Sequence, residues 1–457
     1  MNRRHFLRSG TAAAAGFLGL RTYLSASPQM ASRVISPYGP LIPDPAGLLD
    51  LPRGFTYQVI SPLGETMDDG LKVPGAPDGM AAFEGPDGTV VLVRNHELNP
   101  NQQHLSPFKT DKLPPQFDRE MSYDPGEESD QPHIGGTTNV VYNPKTKKVE
   151  KHFLSLTGTD RNCAGGAMPW GSWITCEEPQ DMESPRGQNH GYCFEVRASA
   201  DGKLQKPVPL KALGRFRHEA VALDPETGIL YLTEDMGDGL LYRFIPNQPG
   251  DLTQGTLQAL RLVKNDSADL RSYPGSEKIP EGSTFEADWI DLTEIESPKD
   301  DLRHRGHQAG AAKFARGEGI QYSDGSLFIC CTAGGPEKQG QVYQLTPSRE
   351  KGKHDQLTLF LQPEKEDLLT NGDNLCAAPW GDLILCEDLI AEHARNTPHV
   401  RGVTPDGKVY TIARNAAGRS EFAGSCFSPD GQVLFVNQQG AGKTFAIHGP
   451  WDQRQGA

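Results

Sequence analysis

The sequence lacks the features that mark several common classes of protein. After the first 20 residues no apolar run is long enough to cross a bilayer, so we expect no membrane-spanning helix in the rest of the chain. The chain has neither the GxSxG motif of serine hydrolases nor a P-loop, and HEAVALD at 218–224 lacks the second histidine of a zinc protease. Its formal net charge of −14 disfavours nucleic acids and anionic membranes as partners.

Cysteine is present eight times, but without the CxxC spacing of a structural zinc site. Cys176, Cys330, Cys331 and Cys386 lie in apolar, strand-like stretches, which favours a role as small buried side chains. An even number of cysteines allows disulfides in an oxidising compartment, and their pairing stays open.

The N-terminus has the order of an export signal. An Arg-Arg pair at 3–4 precedes an apolar stretch at 11–20, and small residues follow. Adjacent arginines in this place are typical of the twin-arginine signal. We therefore predict a signal peptide with a short linker at 1–31, cleaved near Ala26 or, alternatively, near Ala31. This predicts a periplasmic or extracellular protein that is exported by the twin-arginine machinery.

One structural unit recurs along the rest of the chain. Long helical periodicity is absent, and short apolar strands alternate with Asp-Gly and Pro-x-Gly turns, which favours an all-β fold. The unit is a strand, a tight turn and a returning strand, most often closed by acidic residues. It occupies 78–97, 162–178, 218–235, 318–335, 373–388 and 421–439. A single hairpin cannot bury both faces, so neighbouring units must stack.

Six stacked units predict a six-bladed β-propeller around a central channel, formed by a single domain at 32–457. A pair of β-sandwiches is the alternative. Polar, proline-rich stretches near 98–134 and 246–305 interrupt the repeat. We interpret them as loop insertions that cover one pole of the propeller.

Acidic residues occupy equivalent ends of the hairpins, so a propeller would bring them to one mouth of its channel. Carboxylates packed in this way repel one another, and bound cations remove that cost. Oxygen-rich clusters suit calcium, magnesium, manganese or ferric iron, and a solvated acidic rim is the alternative. The residues predicted at this mouth are Glu97, Glu177, Glu178, Glu219, Glu234, Asp235, Glu318, Asp373, Asn374, Glu387, Asp388 and Glu421.

Three more side chains near the predicted mouth are candidates for the site. Cys163 opens the second unit, where its thiolate can bind a transition metal or its side chain can be buried filler. Arg316 and Glu318 face the same side of a strand, so Arg316 either binds phosphate with a bidentate fork or forms an ordinary ion pair. Asn139 can hydrogen-bond a substrate oxygen or cap a turn.

Several stretches together resemble the PhoX alkaline phosphatases, and the match runs through most of the chain after the predicted signal. They are GGTTNVVYN at 135–143, NCAGGAMPWGSWITCEE at 162–178, FRHEAVALDPETGILYLTED at 216–235, LYRFIP at 241–246, RGEG at 316–319, DNLCAAPWGDLILCED at 373–388 and SEFAGSCFSPDGQVLFVNQQGAGKTFAIHGPW at 420–451. The combination is specific, whereas each stretch alone is not. The chain departs from the family pattern in the adjacent Cys330 and Cys331 and in the lack of proline after Gln439.

The resemblance implies an exported six-bladed propeller that hydrolyses small phosphomonoesters with ferric ions (Fe3+, as a pair) and calcium (Ca2+). It implies that Cys163, Glu219 and Glu318 bind iron and that Arg316 and Asn139 contact the phosphate. The acids of CEE, TED, DNL and CED would then bind calcium. Two other functions stay open: a calcium-dependent lactonase on a six-bladed propeller, against which the number of acids argues, and a propeller that binds a partner without catalysis.

Overall fold

The computed structural model describes residues 33–108, 110, 112–126, 131–179, 188–364, 368–388 and 397–454. The predicted signal peptide at 1–31 lies outside these residues. In the described ranges, the regular secondary structure is almost entirely β-strand, and no helix there is long and apolar enough to cross a membrane. The helical segments are α1 (Leu302–Gln308) and the 3-10 turns Pro86–Gly88, Pro100–Leu105, Arg119–Met121 and Lys211–Leu213.

Three strands come first, and the remaining ones form six antiparallel meanders, which we number as blades 1 to 6. The first three are β1 (Leu41–Ile42), β2 (Leu49–Pro52) and β3 (Thr56–Ile60). Blade 1 contains β4 (Pro77–Glu84), β5 (Val90–His96), β6 (Gly135–Asn143) and β7 (Lys148–Thr159), and blade 2 contains β8 (Asn162–Met168), β9 (Ser172–Glu177) and β10 (Cys193–Arg197). Blade 3 contains β11 (His218–Leu223), β12 (Leu230–Glu234), β13 (Leu241–Pro246) and β14 (Gly255–Leu262), which β15 (Thr284–Asp291) follows. Blade 4 contains β16 (Gly317–Ser323), β17 (Ser326–Cys331), β18 (Gln341–Thr346) and β19 (Asp355–Leu361). Blade 5 contains β20 (Gly372–Ala377), β21 (Leu383–Glu387), β22 (His399–Val403) and β23 (Val409–Asn415), and blade 6 contains β24 (Phe422–Phe427), β25 (Val433–Gln438) and β26 (Lys443–His448).

Strands from the beginning of the chain complete the last two blades. β3 pairs with β26 as the outer strand of blade 6, with Tyr57 opposite Ile447. β2 pairs with β23 and so extends blade 5. These pairings join the two ends of the domain, which closes the ring of blades.

The middle strands are continuous apolar runs, because neighbouring blades cover both of their faces. β25 reads VLFVNQ and is buried at every residue. Between blades 5 and 6, Ile384, Phe422, Leu434 and Phe445 are fully buried in one cluster. The turns between the first two strands use glycine where positive φ is needed, as at Gly381 in Pro-Trp-Gly (φ 93°).

The first strand of each blade is its inner strand, and these six strands surround one axis. Each inner strand contacts the next one around the ring, and β24 of blade 6 contacts β4 of blade 1. A cavity of about 230 Å³ is lined by residues of all six inner strands. The predicted all-β propeller is therefore confirmed.

The two stretches that were predicted to be loop insertions differ from each other in the structure. Residues 246–305 contain β14, which belongs to blade 3, and β15, which joins blade 3 to blade 4 by pairing with β14 and β19. In β14 the buried Leu257, Ala259, Leu260 and Leu262 are interspersed with polar, partly exposed residues, so the stretch reads as polar. The segment near 98–134 has only 3-10 turns in its described part, and its Phe108 and Ile134 pack against β7.

Candidate metal centre

Every inner strand is interrupted by a β-bulge at the same place. In blade 2 the register passes from Asn162↔Glu177 to Gly165↔Thr175, so two residues of β8 face one residue of β9. The same irregularity occurs in the other five blades. A bulge bends its strand and redirects the side chains there. The first residues of the six bulges are Asp78, Cys163, Glu219, Glu318, Asp373 and Gly424.

Five of these six residues carry a side chain that can bind a metal, and the ring of blades brings them together. Their ligand atoms, with those of two further acids, fall into three groups in which all atoms lie within 4.8 Å of one another. The groups are Asp78, Glu97 and Cys163; Cys163, Glu178 and Glu219; and Glu219, Glu318 and Asp373. Because two residues are shared between groups, the seven side chains form one continuous set, which we call the channel cluster.

Blade 6 contributes a glycine in place of a ligand. Gly424 has φ +61°, and a Cβ atom there would lie 2.2 Å from the carbonyl oxygen of Asp78. Its N–H donates to Oδ1 of Asn374 at 2.6 Å. Asn374 also donates from Nδ2 to Asp373 at 3.0 Å, so this predicted ligand orients its neighbours with both ends of its amide.

Arg316 links acids that lie at the rim of the channel cluster. Its guanidinium nitrogens lie 2.8 Å from Asp235, 2.7 Å from Glu318 and 3.7 Å from Asp388. Asp235 and Asp388 directly follow β12 and β21, as Glu97 and Glu178 follow β5 and β9. Glu421 is half-buried, and burial and its hydrogen bond with Asp388 raise its pKa well above the usual value. The structure therefore brings Arg316 and these predicted acids together.

Three predicted ligands lie neither in the channel cluster nor at its rim. Glu177 accepts from the backbone N–H groups of Gly191 and Tyr192 and pairs with His190. Glu234 accepts from the hydroxyl of Tyr242, and Glu387 accepts from Nε of Arg401. Successive side chains of a strand point to opposite faces, so in each acidic pair one residue faces the channel and the preceding one faces its own blade.

Asn139 is also separated from the channel cluster. It lies in the middle of β6, opposite Val93 of β5. Its amide donates to the carbonyl oxygens of Arg197 and Ser199 at 3.1 and 2.9 Å, so it connects blade 1 to the end of β10. The structure gives this residue a contact between blades, in contrast to the phosphate contact that the resemblance implied.

Sequence reasoning did not single out Asp78 of the channel cluster, nor Arg161 at the mouth. Its guanidinium forms ion pairs with Glu97 and, at 2.7 Å, with Glu178. Arg161 directly precedes β8, and Arg316 directly precedes β16. The signal was present in the sequence, because arginine stands two residues before the bulge residue in three consecutive units, as RNC, RHE and RGE.

Burial and mutual repulsion shift the titration of the channel cluster. Burial raises the pKa of Glu219 well above its usual value, and neighbouring carboxylates raise it further. The same causes raise the pKa of Asp373 and of Glu178 to about 8. They also raise the pKa of the Cys163 thiol well above its usual value. Cations bound among these groups would reverse the shifts, because positive charge favours the ionised forms.

The donor set fits a cluster of metal ions. Glu219 is fully buried, and neither of its carboxylate oxygens accepts a hydrogen bond from any residue that the structure describes. A buried carboxylate without a partner is costly, and a bound cation supplies one. The single sulfur of Cys163 suits a transition metal, and the surrounding oxygens suit hard cations.

Comparisons with known proteins find one family model and several solved structures that match the chain. The family model described as "Alkaline phosphatase PhoX" matches residues 36–442. The chain is similar to the solved structure of Pseudomonas fluorescens PhoX in complex with vanadate, a transition state analogue, with a TM-score of 0.66 and 18% identity. That match covers 89% of this chain and 97% of the other.

Two further solved structures match with lower scores. One is a gluconolactonase from Xanthomonas campestris, with a TM-score of 0.41, 12% identity, and coverage of 91% of this chain and 99% of that one. The other is a luciferin-regenerating enzyme, with a TM-score of 0.43, 9% identity, and coverage of 87% and 96%. No curated protein sequence matches the chain.

Proposed function

The chain belongs to the alkaline phosphatase PhoX family, and we propose that it hydrolyses phosphomonoesters with iron and calcium ions bound in the channel cluster. The observation that carries this proposal is the buried carboxylate of Glu219. It shares one group of ligand atoms with Cys163 and another with Glu318 and Asp373. A soft donor on one side and hard oxygens on the other suit two different kinds of metal.

We assign iron to the side of the channel cluster that contains sulfur. Cys163, Glu219 and Glu318 are first residues of consecutive bulges in blades 2, 3 and 4. A thiolate with two carboxylates suits ferric iron. The same set does not suit calcium, because calcium prefers ligands that are all oxygen. We assign calcium to the acids that surround this set. These are Asp78, Glu97, Glu178, Asp235, Asp373 and Asp388.

When bound, the metal ions supply positive charge that polarises the phosphoryl group and lowers the pKa of water. The residues of the chain bring that charge to one place and orient the substrate. Arg316 is about one third exposed and forms ion pairs on its inner side with Asp235 and Glu318. Once cations occupy these carboxylates, its planar guanidinium is available to bind two phosphate oxygens in a bidentate manner.

Charge explains why phosphatase activity here depends on metal. The chain has a formal net charge of −14, and the channel cluster adds buried carboxylates where a phosphate would bind. An anionic substrate is repelled by such a site until cations reverse the local field.

The proposal is tested by measuring p-nitrophenyl phosphate hydrolysis and metal content on the same purified sample. We expect turnover that is lost on chelation and restored when iron and calcium are supplied together. Calcium without iron in an active sample would favour the lactonase alternative, to be checked with a lactone substrate. Absence of phosphate release with both metals bound would favour the other alternative, a propeller that binds a partner without catalysis.

We also propose export by the twin-arginine route to the periplasm or beyond. The support is the Arg-Arg pair at 3–4 and the apolar stretch at 11–20. Because this route carries folded proteins, the channel cluster can receive its metals before export. Replacing both arginines with lysine should retain the protein in the cytoplasm, and unchanged export of that variant would contradict the proposal.

A further inference from the structure

A second group of buried ligands lies behind blade 2, outside the channel cluster. Its members are Asp124, His133 and His190, whose ligand atoms lie within 4.8 Å of one another. Asp124 is 4% exposed, His133 5% and His190 fully buried. These polar groups come from two separate connections, the segment between β5 and β6 and the segment between β9 and β10.

The backbone holds the three residues at the end of β7 and beside β9. The N–H of Asp124 donates to the carbonyl oxygen of Gly158 at 2.9 Å, and the N–H of His133 donates to that of Asp124 at 3.1 Å. A Cβ atom at Gly158 would lie 2.9 Å from the backbone nitrogen of Asp124, so this approach requires glycine. His190 belongs to blade 2 and lies three residues before the start of β10.

The distances within this group are long for hydrogen bonds. Oδ2 of Asp124 lies 3.4 Å from Nε2 of His190 and 3.6 Å from Nε2 of His133. Good N–H···O bonds measure about 2.7–3.2 Å. Two ligands on one tetrahedral zinc ion, each about 2.0–2.2 Å from it, are about 3.4 Å apart. The contact of His190 with Asp124 is thus a long hydrogen bond, and both separations match the ligand spacing of a metal site.

The other ring nitrogen of His190 has the partner that a metal-binding histidine needs. Nδ1 lies 2.7 Å from Oε1 of Glu177, whose second oxygen accepts from Gly191 N–H at 2.8 Å. A carboxylate in this position fixes the ring and leaves Nε2 as the ligand atom. Glu177, which faces away from the channel cluster, is thus explained as the support of a second site.

Asp160 provides an independent indication of a metal site here. It is 8% exposed, and its Oδ1 accepts no hydrogen bond from the described residues. The same oxygen lies 3.9 Å from Nδ1 of His133. A buried carboxylate oxygen on this side of His133 can accept from its Nδ1–H, which leaves Nε2 of His133 as the ligand atom.

We propose that Asp124, His133 and His190 bind one divalent transition metal ion and that Asp160 orients the ring of His133. Two imidazoles and a carboxylate suit zinc and its neighbours in the first transition series. The two imidazole rings are stacked in this structure, with centroids 4.1 Å apart. Binding by both therefore turns the His133 ring out of the stack.

The ion would cross-link the connection between β5 and β6 to the connection between β9 and β10. It would also support the channel cluster from behind, because Asp160 precedes Arg161 and Glu177 precedes Glu178 in the chain. The expected consequence is greater stability of the folded protein, since the ion binds the native state only. This site contains no cysteine, which separates it chemically from the channel cluster.

The test is metal analysis of the full-length mature protein, purified without chelator and then incubated with zinc. We expect one equivalent of zinc that is lost in His190→Ala and in Asp124→Asn, with iron and calcium content unchanged. His152→Ala is the matched control, because His152 is also buried but belongs to no candidate group. The Tm of wild type should rise by several degrees with zinc, and that of His190→Ala should not.

Cobalt incubation of the wild-type protein gives a second readout that needs no variant. A tetrahedral ion with nitrogen and oxygen ligands should give visible absorption without a thiolate-to-cobalt charge-transfer band. Zinc content that is equal in wild type and His190→Ala, or cobalt absorption that shows thiolate ligation alone, would overturn the proposal. Either result leaves the phosphatase assignment untouched, because that assignment depends on the channel cluster.

Discussion

Arg161 and Arg316 occupy equivalent positions on blades 2 and 4, and both have a left-handed backbone, with φ of 50° and 54°. Each directly precedes an inner strand, and each forms ion pairs with acids of the channel cluster. Such a backbone costs about 1–3 kcal/mol for a residue other than glycine, so the fold around it compensates for the strain. The two guanidinium groups thus approach the site from blades 2 and 4.

The first prediction concerns the bidentate role of Arg316. We expect Arg316→Lys to lower kcat/KM for p-nitrophenyl phosphate by about 10- to 100-fold and Arg316→Ala by about 100- to 1000-fold, because lysine keeps charge but lacks the planar fork. Steady-state kinetics with both metals supplied measure this. Arg349→Ala is the control, since Arg349 pairs with Asp224 in blade 3, away from the channel cluster. Full activity in Arg316→Lys would exclude a bidentate contact.

The second prediction separates ligation by Cys163 from its packing. Cys163 and Cys376 are both 9% exposed on inner strands, but only Cys163 belongs to a candidate metal group. Cys163→Ser should lose iron and at least about 100-fold in activity, because a hydroxyl is a poor substitute for a thiolate ligand. Cys376→Ser should keep both. Metal analysis and phosphatase assays on the two variants decide the matter; iron retained in Cys163→Ser would refute the assignment.

The sequence predicted the fold well because the repeat is local. Each hairpin carries its own turn and apolar strands, and stacking is the way to bury them. The strand β15 was not predicted, because it pairs with β14 and with β19 far along the chain. Only Ala287 and Trp289 of this strand are buried, so its composition resembles that of a loop.

The site was predicted in outline, and the bulges explain the remaining differences. Acid pairs such as Glu177-Glu178 indicate a carboxylate-rich end of each strand, but the register decides which member faces the channel. The bulge on each inner strand also changes which of its side chains face the channel. The periodicity of the sequence does not reveal this change. Asn139 illustrates the limit of resemblance, because its amide contacts the backbone of blade 2.

The third prediction is a pH dependence of the metal-free protein. Burial and neighbouring carboxylates raise the pKa of Asp373 and Glu178 to about 8. A carboxyl with a raised pKa in the folded state is protonated there at a pH where the unfolded chain has already ionised. Its contribution to stability is therefore complete below about pH 4 and is lost as the pH rises towards 8.

We accordingly expect the free energy of unfolding in chelator to be lower at pH 9 than at pH 6 by at least about 2 kcal/mol. This difference corresponds to a pKa shift of about one to two units. Calcium should reduce this difference, because a cation stabilises the ionised carboxylates. Denaturant unfolding at the two pH values, with and without calcium, measures the effect. Equal stability at both values in chelator would contradict the proposed protonation.

The fourth prediction concerns the glycine that replaces a ligand in blade 6. A Cβ atom at Gly424 would lie 2.2 Å from the carbonyl oxygen of Asp78, and the residue has φ +61°. Gly424→Ala should therefore add steric displacement of the Asp78 backbone to the cost of a left-handed alanine. We expect a loss of more than about 2 kcal/mol in stability, together with weaker calcium binding, because Asp78 is a candidate ligand.

Gly171→Ala separates these two costs. Gly171 has φ +82° in the turn of blade 2, and no atom lies within 4 Å of a Cβ built there. This variant should lose only the backbone cost, about 1 kcal/mol, and should bind calcium as wild type does. Equal stability losses and equal calcium affinity in the two variants would show that the close approach of blades 6 and 1 does not position Asp78. A selective loss of calcium in Gly424→Ala would link the missing sixth side chain directly to the geometry of the remaining five.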